Sequence, residues 1–178
     1  MSRILKRIAA GVVIAGVAAL VLAAGSYAAG ARINTTKSIP VGLYWTSSAP
    51  VEKGAYVLFC PPQLGVFDDA KERGYIGAGF CQGGYGYMMK RVLAAKDDAV
   101  AVADDGVRVN GELLPLSAPI KADKAGRPLP RYQSNSYTLG NSEVLLMSDV
   151  SATSFDGRYF GPINRSQIKT VIRPVITW

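Results

Sequence analysis

Histidine is absent from this chain, and cysteine occurs only twice, as Cys60 and Cys81. Without histidine there is no Ser-His-Asp triad, no Cys-His pair and no His-ligated zinc. Two thiols are too few for a structural zinc site, and 178 residues hold a core without metal or cofactor, so none is expected. Carboxylates, lysine and the N-terminal amine are what remain for acid–base work. Basic runs interleaved with aromatics are missing as well. The formal net charge of +7 falls to +4 once Arg3, Lys6 and Arg7 are set aside, and beyond them Lys90-Arg91 is the only adjacent basic pair. A nucleic-acid partner is therefore not expected, whereas a mild cationic excess suits anionic lipid headgroups.

One long hydrophobic run is present. Residues 8–29 carry no charge and only Ser26 and Tyr27 as polar tips. As a helix rising 1.5 Å per residue, such a run spans a hydrocarbon core of about 30 Å. A retained transmembrane anchor is the expectation. Its rival is a cleaved signal peptide, with small residues around Ser26-Tyr27-Ala28, but the run exceeds a usual signal-peptide core. Three basic residues precede it, against Arg32 and Lys37 just after, which places the N-terminus in the cytoplasm. The chain then divides into a basic cytoplasmic flank (1–7), an anchor (8–29) and one exported domain (30–178). In an oxidising compartment Cys60 and Cys81, with 20 residues between them, suggest one disulfide worth about 3 kcal/mol. In a reducing one they are two small buried hydrophobes.

Beyond the anchor the pattern is β-rich. Residues 55–60 and 85–94 are apolar and aromatic runs of strand length, bounded by Gly and Pro. Residues 99–103, 107–109 and 112–114 follow, separated by Asp105-Gly106 and Asn110-Gly111, both signals for type I′ hairpins. Residues 143–147 and 171–176 supply later strands. Segments 61–84 and 115–136, rich in Gly, Pro and polar residues, read as long loops. The fold class expected is mainly β, an antiparallel domain behind one N-terminal transmembrane helix.

Two chemical candidates emerge from this frame. Ser38, in Thr36-Lys37-Ser38-Ile39-Pro40-Val41-Gly42, lies nine residues past the apolar run; taken alone it is a turn residue before Pro. Lys90, in Tyr87-Met88-Met89-Lys90-Arg91-Val92, sits within an apolar strand pattern. Alternation puts it on the face of Met88 and Val92, and if that face is buried, desolvation favours the neutral amine that a general base for serine requires. The alternative is a solvated strand edge.

A third string, Ser154-Phe155-Asp156-Gly157-Arg158-Tyr159-Phe160-Gly161, completes an ordered set. An anchor-proximal serine near a proline, a Tyr-x-x-Lys-Arg-Val-like strand and a Ser-x-Asp-x-Arg-x-x-Gly loop resemble the boxes of the signal peptidase I family. They span residues 36–161, and the Val109-Asn110-Gly111 turn resembles that family's Asn-Gly hairpin. Departures from the housekeeping enzymes are visible: one residue rather than two between Ser38 and Pro40, Ala94-Ala95-Lys96-Asp97-Asp98 after the lysine box, and Met147-Ser148-Asp149 at the start of the last box. In these, and in its short single-anchor chain, the sequence is similar to the TraF-type peptidases of conjugative transfer systems.

The resemblance implies a signal-peptidase-like fold and a Ser/Lys-dyad peptidase, single-pass in the bacterial inner membrane with its catalytic domain in the periplasm. Ser38 would be the nucleophile, Lys90 the base and Ser154 the hydroxyl orienting the lysine amine. Asp156 and Arg158 would be an ion pair in the last loop, with Asp156 either catalytic or structural. Thr36 would supply an oxyanion donor. The implied substrate is a membrane-embedded pilin precursor, cut near its C-terminus with acyl transfer to give a cyclic subunit, alongside other conjugative machinery. Hydrolysis of other exported proteins and a non-catalytic scaffold of the transfer apparatus are the rival functions.

Overall fold

A computed structural model describes residues 3–178. Helix α1 (Arg3–Ala28) takes in the described part of the basic flank, whose first two residues lie outside the described ones, and all of the apolar run but Ala29; it is long and apolar enough to cross a membrane, and none of it is buried against the rest of the chain. The remainder is mainly antiparallel β. Its strands are β1 (Ala31–Asn34), β2 (Gly42–Ser47), β3 (Tyr56–Phe59), β4 (Met88–Ala94), β5 (Ala99–Ala103), β6 (Gly106–Val109), β7 (Glu112–Leu113), β8 (Ser134–Thr138), β9 (Glu143–Met147), β10 (Ile163–Asn164) and β11 (Ile168–Thr177). One sheet runs β1-β2-β11-β3-β4-β9-β10 and the other β7-β6-β5-β8. Two short helices, α2 (Gly65–Glu72) and α3 (Gly157–Phe160), lie in the connections.

The final strand ties the larger sheet together. The first half of β11 pairs with β3 and its second half with β2, so a segment from the end of the chain joins the first hairpin to the centre. Its Pro174 cannot donate to a ladder, and the register shifts just after it, between Pro174 and Ile176. Gly42, where β2 begins, lies so close to β11 that a Cβ there would meet the Ile176 carbonyl oxygen at 2.2 Å. This is why the serine segment continues Val-Gly.

Strand β4 serves two cores by changing face. Met88 and Val92 join Val57, Phe59, Val144 and Leu146 in the core of the large sheet. A bulge between Val92 and Ala94 then sets both residues opposite the adjacent pair Leu146 and Leu145 of β9. One extra residue inverts the face that follows, so Ala94 packs with Leu145, Met147, Val100 and Val107 in the core of the second sheet.

Three expectations need correction. Asp105-Gly106 is not a two-residue turn: Asp104 and Asp105 occupy it, and Gly106, at φ +143°, already pairs with Ala103. Asn110-Gly111 does have the positive φ values (53° and 85°) that a type I′ turn needs. Segment 61–84 is not all loop. It holds α2, an amphipathic helix burying Phe67 and Ala70 and too short to show periodicity between Pro61-Pro62 and Gly74. Segment 115–136 runs into β8 at Ser134, and strands β1 and β2 were not among the expected strands.

Cys60, just past β3, and Cys81 are joined by a disulfide, which closes a loop containing α2. Replacing both with serine should lower stability by about 3 kcal/mol in denaturant unfolding. Reductant should produce the same loss in the parent and none in the double variant.

Candidate active site

Strand alternation and the last loop put Lys90 where its charge is hardest to keep. It pairs with Val57 across β3 and β4, faces inward with Met88 and Val92, and is 3% exposed. Burial pushes its amine down to about 8, the nearby Arg158 pushes the same way, and Asp156 partly opposes both. Nζ donates to Ser154 Oγ at 2.9 Å, and Ser154 is itself buried.

Ser154 is held by the ion pair beneath it. Asp156 and Arg158 are both fully buried. Arg158 Nε and Nη2 donate to the two carboxylate oxygens at 2.8 and 3.0 Å, a planar fork. The same guanidinium donates to the carbonyls of Leu116 and Ala152 at 2.8 Å and Ser151 at 3.3 Å. Asp156 also accepts from the Ser148 amide at 3.0 Å and, as N-cap of α3, from the Arg158 amide. Both ends of the loop after β9 are thereby fastened. Both Asp156 oxygens are thus engaged, each by the Arg158 guanidinium and a backbone amide.

Ser38 is half-buried in the loop joining β1 to β2. Its hydroxyl lies 2.8 Å from Thr36 Oγ1 and donates to the Met89 carbonyl at 3.3 Å, immediately before the lysine. Ser38, Thr36, Lys90 and Ser154 all line one cavity of about 450 Å³. Asp156 and Arg158 sit behind its wall. The Cys60–Cys81 bridge lies outside it.

One residue of this site escaped the sequence reading. Asn34, 4% exposed, donates through Nδ2 to the carbonyls of Thr36, Ile39 and Pro40 at 2.7–3.0 Å. Its Oδ1 accepts from the Thr36 amide and hydroxyl at 3.2 and 2.9 Å. The serine loop is wrapped around this side chain. An Asn at the head of a Thr-Thr stretch is an Asx-turn signal that would have pointed to it. Tyr44 adds a second fastening, its buried hydroxyl donating to Pro40 O at 2.6 Å. Among the described residues no group of three or more Cys, Asp or Glu gathers as a metal site would.

Along residues 1–178 the chain matches the family described as signal peptidase, peptidase S26. It is 98% identical to a plasmid transfer protein TraF of Escherichia coli over the full length of both chains. A conjugal transfer protein TraF of Agrobacterium fabrum is 34% identical over 168 residues, 92% of this chain and 93% of that one. A crystal structure of a signal peptidase I from Enterococcus faecalis has a TM-score of 0.40 and 16% identity, over 71% of this chain and 100% of that one.

Two variants check this geometry. Lys90→Met should be more stable than the parent, because a lysine titrating near 8 when folded and near 10.5 when unfolded costs on the order of 3 kcal/mol while protonated. The advantage should be full below pH 8 and shrink as the pH rises from 8 to 10.5. Unfolding curves at pH 7 and pH 10 measure it. Asn34→Ala leaves three carbonyls and the Thr36 hydroxyl without this partner. It should lower kcat by at least tenfold while the melting curve moves only a few degrees, since the loss falls on one loop.

Proposed function

The chain belongs to the signal peptidase family, peptidase S26, and from that premise we propose that it is a membrane-anchored serine endopeptidase. In this reading it matures the pilin precursor of a conjugative transfer system from the periplasmic face of the inner membrane. The observation that carries it is the convergence of Ser38 and a buried, deprotonation-prone Lys90 on one cavity. The names of the plasmid and conjugal transfer relatives supply the setting.

Lys90, in its neutral form, accepts the Ser38 proton, and Ser38 Oγ attacks the scissile carbonyl. In the free protein Nζ rests on Ser154 and Ser38 Oγ on Thr36 and the Met89 carbonyl. A rotation of the serine side chain on substrate binding closes the gap, as is common for catalytic hydrogen bonds. Thr36 Oγ1, beside the nucleophile, turns its proton from Asn34 to the developing oxyanion. A donor in that role typically contributes ~2.7–4 kcal/mol. Lys90 then hands its proton to the leaving amine, and the acyl-enzyme remains.

The acyl group has two fates. Water releases a cut precursor. The precursor's own N-terminal amine, held at high local concentration by the shared membrane, closes a cyclic subunit. The membrane setting is supported by α1, which is long and apolar enough to span a bilayer and ends only ten residues before Ser38. Ser154 orients the amine, and the Asp156–Arg158 pair holds Ser154.

Ser38→Ala and Lys90→Ala should each abolish precursor conversion, scored by mass of the product, while both proteins still insert and melt cooperatively. Normal conversion by either would remove the dyad and leave a scaffold role. The parent's kcat/KM should rise with pH through about 8 as Lys90 loses its proton. A product lighter than the linear cut form by one water identifies the cyclic outcome.

A further inference from the structure

Beside the catalytic cavity lies a second hollow of about 300 Å³ that the chemistry above does not use. The serine loop lines the first and not the second, and the long connection between β7 and β8 lines the second and not the first. Tyr75, Thr153 and Phe155 line both. The two spaces are thus neighbours across a wall one side chain thick.

The inner wall of the hollow is aromatic. Phe155 stacks on Tyr159 at 5.8 Å and meets Tyr75 at 5.7 Å. The Tyr159 hydroxyl accepts from the Ile120 amide at 3.1 Å, so its polar tip is satisfied and ring surface is left facing the space. Ile120 and Leu129 form the outer wall.

The rim is basic. Asp123, the carboxylate lining the hollow, is fully engaged. It accepts from the amides of Ala125 and Arg127 at 2.9 Å, from Arg127 Nε at 2.7 Å and from the Tyr75 hydroxyl. Lys124 lines the mouth, and among the described residues its ammonium has no hydrogen-bond or ion-pair partner. A slot with apolar walls and an uncompensated cation at its mouth fits an apolar group that carries a negative charge beside it.

We propose that this hollow is a substrate subsite for an apolar side chain of the peptide being cut, accompanied by a carboxylate that pairs with Lys124. The carboxylate is the substrate's own C-terminus or an adjacent Asp or Glu side chain. The proposal rests on the peptidase reading, because it places substrate on Thr153 and Phe155 next to Ser38. It adds a second point of grip outside the catalytic cavity.

The test uses the full chain in detergent and a synthetic peptide spanning the cleaved region of the pilin precursor. The peptide is made with a free C-terminus, with a C-terminal amide, and with its acidic residues changed to amides. Lys124→Glu should raise KM about fivefold for the carboxylate it recognises, the size of an exposed charge pair, with kcat unchanged. Whichever peptide has lost that carboxylate should bind the parent equally weakly and no longer respond to Lys124→Glu. Ala125→Trp, at an exposed position in the mouth, should raise KM for all three peptides by filling the slot. Both substitutions lie on an exposed loop, and unchanged melting curves verify the fold. If KM is insensitive to both variants while Ser38→Ala is inactive, the subsite is overturned and the peptidase reading stands. If Ser38→Ala cuts the peptide, the reading itself falls.

Discussion

The buried guanidinium of Arg158 is the constraint on which the rest of the site depends. It is fully enclosed and, among the described residues, has only Asp156 to neutralise it, so the pair is stable only while every lone pair and N–H finds a partner. Those partners are the carbonyls of Ser151, Ala152 and Leu116. The loop after β9 is therefore folded over the pair, Ser154 comes to rest against Lys90, and the segment after β7 is drawn in as well. A charge pair that adds little net stability thus dictates one loop conformation.

Lys90 is held by the opposite logic. The ion pair is surrounded by hydrogen-bond partners, whereas the lysine is given one neutral hydroxyl and a buried strand position that disfavours its charge. Two basic side chains a short distance apart thus meet different fates, one locked in an ion pair and one poised to lose its proton. The serine loop is built by a third device, a single buried amide that gathers three carbonyls and a hydroxyl.

Much of this was legible in the residues. The missing histidine and the inward alternation of Lys90 are local facts, and so are the Asn110-Gly111 turn and the long apolar run. The antiparallel β class follows from the run of short strands. Strand β1 was not legible because Ala31-Arg32-Ile33-Asn34 is too short to alternate visibly; it becomes a strand by pairing with β2, which pairs with a segment more than 120 residues away. The Ala94 face change was hidden too, since a bulge is a property of two strands in register and not of either alone. Asn34 escaped because most of its partners are backbone groups, which every residue has.

The joint between α1 and β1 has a mechanical consequence. Only Ala29 and Gly30 separate helix from strand, and both are hydrogen-bonded, Ala29 to Gly25, Gly30 to Tyr27 and to Thr46 of the first hairpin. These bonds resist a swing of the domain about the joint. In the proposed function, with that helix seated in a bilayer, the nucleophile then works at one fixed height above the surface, like a blade on a stand. Which bond is cut becomes a matter of elevation as well as of side chains. A precursor lengthened or shortened between its own membrane segment and its scissile bond would present the wrong stretch of chain to an unmoved edge.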